Sequence, residues 1–339
     1  MKKLHFGIVG CGDIAGYTAL FSRLVPQIKL FACCDIDQDQ AQMFAKRHRI
    51  PNVYTEFEEM LASPALDVVY LAVPHHLHYA MIVDSVAAGK HVLVEKPLTR
   101  TLEEGSRLVG KLANHKVGVN YQYRYDRGCY ALARAVQAGE LGKIDAIRIN
   151  IPWHRTQGYF EGSAWHKTIA RAGGGTLITQ GSHLLDVALW AVGEQPVSAM
   201  GYTATPGFDV EVDTLAQGIV ETSGGTLINI SSSMVAATEQ SLSLEVYGES
   251  GTAIYRNLPI PFTKFIGARV RKQRPPEWGV HALHRSLAAY AKWVLEDKPY
   301  LTPAHESLPV LAAVDGIYRS AQSKKRETIP RRTDDGENE

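Results

Sequence analysis

Apolar residues follow two different rhythms along this chain. In the first third, short apolar runs alternate with amphipathic stretches. Leu4 to Val9, Ile28 to Cys34, Asp67 to Val73, Val92 to Val94 and Lys116 to Asn120 read as buried strands. The segment after Gly12 through Leu24, and those from Asp39 to Arg49, Glu56 to Ala62 and His75 to Ala88, read as helices, the last stopped by Gly89. Thr101-Leu102-Glu103-Glu104 is a capping box that opens another helix. This strand–helix alternation predicts an α/β fold with a doubly wound parallel sheet. From about Tyr121 the rhythm changes. After a helix from Asp126 to Ala138, strands come in succession: Ile144 to Ile151, Val197 to Thr205, Thr214 to Glu221, Thr226 to Met234, Leu242 to Tyr247 and Thr252 to Tyr255. Ser223-Gly224-Gly225 is a hairpin signal between two of them. Leu177 to Trp190, His281 to Glu296 and Ser307 to Lys324 read as helices. The second half is therefore expected to form an α+β domain with a large open, mostly antiparallel sheet.

Composition narrows the functional classes. The chain has 339 residues, 45% hydrophobic and 21% charged, with a formal net charge of +1. Nothing here favours bulk attraction to nucleic acid or an anionic membrane. The basic runs Arg269 to Arg274 and Lys324 to Arg326 are not interleaved with aromatics, unlike a phosphate-binding strip. The four cysteines, Cys11, Cys33, Cys34 and Cys129, form no C-x-x-C pair and imply a reducing compartment without a disulfide framework. The start, Met1-Lys2-Lys3-Leu4, leads into an apolar run too short for a signal peptide, and cleavage before Cys11 would destroy the first strand. No stretch is long and apolar enough to span a bilayer. The expectation is a cytoplasmic protein without membrane or nucleic-acid partners.

Candidate chemistry sits at the strand ends. Gly10-Cys11-Gly12-Asp13-Ile14-Ala15 follows a strand and opens a helix, as a dinucleotide-binding turn does. Gly10 makes the tight turn, and Gly12 admits the backbone to a pyrophosphate lying on the helix N-terminus. Asp35 ends the second strand, where a carboxylate hydrogen-bonds the adenosine ribose 2′-hydroxyl. Asp37 follows instead of an arginine, which favours NAD over NADP. Glu95-Lys96-Pro97 places two charges at the end of the Val92 to Val94 strand, where ligands bind in open parallel sheets. His75, His76 and His78 invite a metal reading, and His75 and His78 share a helix face, but there is no H-E-x-x-H and no nearby carboxylate, so no metal is expected. Further on, Gly173-Gly174-Gly175 leads into a helix on which Thr179 and His183 share a face, with Asp186 a turn beyond. Spacing alone leaves open whether His183 is a helix histidine satisfied by Asp186 or part of a polar face at a cleft. The expected division is a dinucleotide-binding domain at 1–120, a substrate-binding and oligomerisation domain at 121–330, and a charged tail at 331–339 expected to be disordered.

These residues together resemble the Gfo/Idh/MocA oxidoreductases. The resemblance covers nearly the whole chain. It rests on Gly10-x-Gly12-x-x-Ala15, Pro74-x-x-x-His78, Ala88-Gly89-Lys90-His91 leading to Glu95-Lys96-Pro97, and Gly173-Gly174-Gly175 leading to Gly181-x-His183-x-x-Asp186. It implies an N-terminal Rossmann domain, a nicotinamide cofactor, and a sugar, sugar nucleotide or cyclitol as substrate. It also implies a homodimer or homotetramer formed through the C-terminal sheet. By position, Lys96 looks like the catalytic lysine and His183 like the catalytic histidine. Gly10, Gly12, Asp13, Ile14, Ala15, Asp35, Pro74, His78, Glu95, Lys96 and Gln122 look like cofactor contacts. Arg124, Trp165, Thr179 and His183 look like substrate contacts. One position departs from many relatives: Thr179 stands where they carry an aspartate four residues before the histidine. Threonine can hydrogen-bond a hydroxyl but holds no negative charge. Gln180 is similar to the residue in a branch acting on nucleotide-linked aminosugar acids.

The chemistry implied is hydride transfer between a ring carbon and nicotinamide. As a base, Lys96 needs a depressed pKa; burial and a nearby positive nicotinamide push that way, and Glu95 pushes against it. Two alternatives stand beside this reading. One is an NAD-using glycosidase or lyase with transient redox; the other is a non-enzymatic NAD(H)-responsive regulator.

Overall fold

The computed structural model describes residues 2–112, 115–271 and 273–330. The expected disorder at 331–339 lies outside the described residues. The chain divides into one unit of Met1–Tyr125 with Pro276–Glu306, and a second of Asp126–Pro275 with Ser307–Glu339.

The first unit holds a six-stranded parallel sheet built from β1 (Leu4–Val9), β2 (Ile28–Cys34), β3 (Asn52–Tyr54), β4 (Val68–Leu71), β5 (His91–Val94) and β6 (Val117–Val119). Their order is β3-β2-β1-β4-β5-β6, so the winding reverses between β1 and β4. β1 and β2 occupy the expected residues, because both are apolar runs cut off by turn-forming sequence. β3 was not expected: three residues with a single large aliphatic carry no periodic signal.

Segment 276–306, expected in the second domain, belongs to the first unit, which also extends past 120 to Tyr125. The reason is packing. Leu287 and Tyr290 of the helix Ala282–Glu296 share one buried core with Phe6, Val68, Tyr70 and Leu93. Gly118 of β6 leaves room for this: a Cβ there would come 2.7 Å from the Tyr300 ring.

The second unit holds an eight-stranded sheet: β7 (Ile144–Pro152), β8 (Pro196–Ala204), β9 (Leu215–Thr222), β10 (Leu227–Ser233), β11 (Ser243–Gly248), β12 (Gly251–Arg256), β13 (Phe262–Ile266) and β14 (Glu327–Thr328). The order is β13-β12-β11-β7-β10-β9-β8-β14. All pairs are antiparallel except β7 with β10. The helices Arg127–Gln137, Ser182–Val192 and Leu308–Ser323 cover one face. The other face leaves Met200, Tyr202, Ile219, Leu227, Phe262 and Ile266 exposed. No helix among the described residues is long and apolar enough to cross a membrane.

Candidate active site

In the first unit, β1 delivers the chain to Gly10 at φ +82°, where a Cβ would overlap the carbonyl of Ala72, the residue just after β4. Only glycine fits that turn. The Gly10 amide donates to the Cys34 carbonyl at 2.9 Å, which holds the loop against the end of β2. Gly12 then precedes the helix Asp13–Ser22 in extended conformation, with no side chain capping the first turn. A Cβ at Gly12 would meet open space. A helix N-terminus reached through bare backbone suits a pyrophosphate. Ala15 is fully buried and seats the helix on the sheet, whereas Asp13 and Ile14 stay exposed beside the loop.

Asp35 stands at the end of β2. Its Oδ2 accepts from the Cys11 amide at 2.8 Å and its Oδ1 from the Asp37 amide at 3.0 Å. Each oxygen keeps a further lone pair for a ribose hydroxyl. The carboxylate is thus aimed by the glycine loop itself. These residues fit NAD.

Pro74 caps the helix His75–Ala87 after β4. His78 on that helix is buried, with Nδ1 2.8 Å from the Pro97 carbonyl and Nε2 2.9 Å from the Val73 carbonyl. It clamps the turn after β5 to the end of β4. Burial pushes its pKa down, and the Lys96 charge adds to that against the pull of the two carbonyls. Among the described residues no cluster of histidine, cysteine and carboxylate could hold a metal ion.

Glu95 and Lys96 end β5, and the Lys96–Pro97 bond is cis. The Glu95 carboxylate is tied inward: Asn120 Nδ2 donates to Oε1 at 2.7 Å, and the buried Tyr70 hydroxyl donates to the same atom. Burial first, then the Glu95 charge, hold the Tyr70 phenol well above its ordinary pKa, so it remains a donor. Thr18 Oγ1 donates to the Tyr70 hydroxyl at 2.8 Å, and Ser286 Oγ to Asn120 Oδ1 at 3.1 Å, which completes the network. Lys96 itself is half-buried. Gln122 opens a short 3-10 turn, Gln122–Tyr125, and is also half-buried. Arg124 on that turn is buried at 2% exposure. Its Nη1 donates to the Leu301 carbonyl at 2.8 Å and pairs with Glu306 Oε2 at 3.0 Å. The resemblance implied a substrate contact for this guanidinium; in the structure it also anchors the segment that carries Leu301 and Glu306.

In the second unit, Gly173-Gly174-Gly175 turns into a helix that begins irregularly. Leu177–Gly181 is one turn of π-helix, followed by the α-helix Ser182–Val192. Sequence had predicted an unbroken helix. A single π-turn widens the coil locally and is frequent at functional sites.

The turn is organised by Asp213, which local sequence did not single out. Its Oδ1 accepts from the Gly175 amide at 2.6 Å and from the Tyr318 hydroxyl at 2.8 Å, and its Oδ2 from the Leu177 amide at 3.1 Å. Its own carbonyl accepts from the Thr176 amide at 2.7 Å. Gly175 is obligatory, because a Cβ there would coincide with that carbonyl. Burial pushes the Asp213 carboxyl up to about 6, against the hydrogen bonds that favour its charged form.

Thr179 is buried, and its hydroxyl donates back to the Gly175 carbonyl at 2.7 Å. His183 is half-exposed, whereas Asp186 is buried within electrostatic range of Cys129 on the neighbouring helix. Trp165 stacks on His166 with centroids 3.7 Å apart, and His166 lies 4.6 Å from the Tyr159 ring.

Residues 4–123 match the oxidoreductase family with an NAD-binding Rossmann fold, and residues 130–254 match the Gfo/Idh/MocA C-terminal domain. An inositol 2-dehydrogenase of Burkholderia cenocepacia is 29% identical, over 96% of this chain and 96% of its own. A 1,5-anhydro-D-fructose reductase of Ensifer adhaerens is 25% identical, over 75% of this chain and 76% of its own. The WlbA dehydrogenase of Bordetella pertussis, crystallised with NADH and UDP-GlcNAcA, is 26% identical with a TM-score of 0.84, over 98% of this chain and 100% of its own. These matches favour an enzyme over a regulator. With the glycine loop, the aimed Asp35 and the parallel sheet of the first unit, they establish that the chain is an NAD-dependent oxidoreductase belonging to the Gfo/Idh/MocA family.

Proposed function

We propose that the protein oxidises or reduces a ring carbon of a sugar, sugar nucleotide or cyclitol, with Lys96 as the acid/base and His183 assisting. The relatives named for inositol and anhydrofructose, and the neighbour crystallised with a nucleotide sugar acid, support that substrate class. NAD, when bound, supplies the hydride acceptor or donor. Backbone amides of Gly12, Asp13 and Ile14 would hold its pyrophosphate, and Asp35 its ribose.

The observation that carries this reading is the division of labour at the end of β5. Glu95 is drawn inward by Asn120 and Tyr70, so its charge does not have to be met at the strand end. Lys96, the next residue, is held half-buried by a turn that His78 clamps from below. Its Nζ can then give or take the proton of a substrate hydroxyl. His183, half-exposed on a helix whose start is fixed by Asp213, orients that hydroxyl or shares its proton. Thr179, its hydroxyl already turned to the backbone, keeps only acceptor capacity toward a ligand.

Lys96→Ala should lower turnover by roughly two decades or more while NADH binding, followed by fluorescence, is retained. The substrate is found by screening NADH formation on polyols, hexoses, uronates and nucleotide sugars. Near-wild-type turnover in Lys96→Ala would sink the proposal. We further propose that the open face of the second sheet, with Met200 and Ile219 side by side, joins copies of the chain.

A further inference from the structure

The loop leaving β7 carries a cation, Arg155, that shares a hydrogen bond with Tyr159 and forms no ion pair with a carboxylate among the described residues. The Arg155 guanidinium lies 4.2 Å from the Trp153 ring centroid and 5.0 Å from that of Tyr159. Such stacking fixes the plane of the fork. The side chain is half-buried, and burial pulls its pKa down. Its charge nevertheless persists, because a guanidinium does not deprotonate in proteins.

No carboxylate among the described residues forms an ion pair with it; Glu239, the acidic group in electrostatic range, is exposed. Nη1 donates to the His154 carbonyl at 3.0 Å. Nε is shielded from solvent and has no acceptor among the described residues, and the same holds for the indole Nε1 of Trp153. A partly desolvated cation with one orphaned donor, Nε, beside a second orphaned donor on Trp153, is an uncompensated cost. An acceptor-rich anion would remove it.

Backbone pairing shows where this cation lies in the second unit. The Arg155 amide donates to the Met234 carbonyl, the Met234 amide to the Thr214 carbonyl, and Thr176 of the glycine turn to Asp213 beside it. Arg155 is therefore at the same end of the sheet as the turn that leads to Thr179 and His183.

We propose that Arg155 is a specificity-determining residue that binds a carboxylate on the substrate, so that the preferred sugar is an acid such as a uronate, free or nucleotide-linked. The assignment deepens the carbohydrate reading above and rests on it. A planar fork matches a planar carboxylate, and one guanidinium balances its single charge. A phosphoryl group is the other anion that sugars carry, and the test separates the two.

The full-length protein with saturating NADH is titrated calorimetrically with sodium D-glucuronate, D-glucose and D-glucose 6-phosphate. Glucuronate should bind roughly tenfold to a hundredfold tighter than glucose. Arg155→Met, which keeps the length of the stack without the charge, should erase that advantage, and Arg155→Lys should restore part of it. NADH affinity checks that the variants are folded; if Arg155→Met does not fold, the wild-type comparison decides alone. Equal affinity for glucuronate and glucose, or undiminished glucuronate binding in folded Arg155→Met, overturns the assignment. Tighter binding of glucose 6-phosphate that is lost in Arg155→Met also overturns it, in favour of a phosphoryl group. Glucuronate binding that depends on Arg155, without NADH formation from any sugar in the panel, supports the assignment and counts against the dehydrogenase reading alone.

Discussion

Replacing Asp213 by asparagine should flatten one component of the pH dependence of stability. The folded-state pKa is about 6 against an ordinary 3.8. Between these values the native state keeps a proton that the unfolded chain has released. The native state therefore binds more protons, and stability falls as pH rises through this window. The contribution is fully present below the unfolded value and is lost above the folded one. A gap of about two pKa units corresponds to roughly 3 kcal/mol. Asparagine does not titrate. It keeps one acceptor for the Gly175 amide but turns an amide group toward the Leu177 N–H, a constant penalty of about 1–3 kcal/mol at every pH. The difference in unfolding free energy between wild type and Asp213→Asn should thus change by roughly 3 kcal/mol between about pH 3.5 and pH 7, with the wild type losing ground as pH rises. Urea titrations of both proteins at four pH values measure it. Parallel curves would refute the argument, because they would mean that the buried carboxyl titrates like an exposed one.

Other consequences follow from the same geometry. Asp35→Ala should weaken NADH binding by roughly tenfold to a hundredfold in a fluorescence titration, since it removes both a charged acceptor and the prop of the Cys11 amide. Tyr70→Phe should lower the melting temperature by an amount equivalent to about 1–2 kcal/mol, because the half-buried Glu95 carboxylate and the Thr18 hydroxyl each lose a partner. Gly175→Ala should fail to give a soluble fold or melt far below wild type, because its Cβ would fall on the Asp213 carbonyl. Ile219→Lys should shift the protein toward monomer in light scattering if the exposed sheet face is the contact between copies, and leave the mass unchanged if it is not.

Local sequence was sufficient for most of the nucleotide half, β3 excepted. Its other parallel strands are short apolar runs closed by turn formers, and the glycine loop turns at a backbone geometry that Gly10 permits and a side chain would not. Asp35 and Lys96 could be placed at strand ends because each is a charged residue that follows such a run. Motif resemblance supplied the rest of the outline, including the family and the cofactor. What local sequence could not convey were relations across long loops. Asp213 has no signature of its own; it matters because the glycine turn closes onto it from 38 positions away. Arg124 carries no local sign that Leu301 and Glu306 will meet it from about 180 positions away. Segment 276–306 lies beyond the last strand of the second sheet but one, yet packs its tyrosines on the first unit's core. Nothing in the local sequence around Arg155 shows that folding sets its guanidinium against Trp153 and Tyr159. Periodicity and turn chemistry act between near neighbours, so the chain by itself determines most of its elements and the glycine loop after β1. Burial and the pairing of distant charges exist only once the chain has closed, so the tertiary structure alone decides which polar groups support the fold and which remain for a ligand.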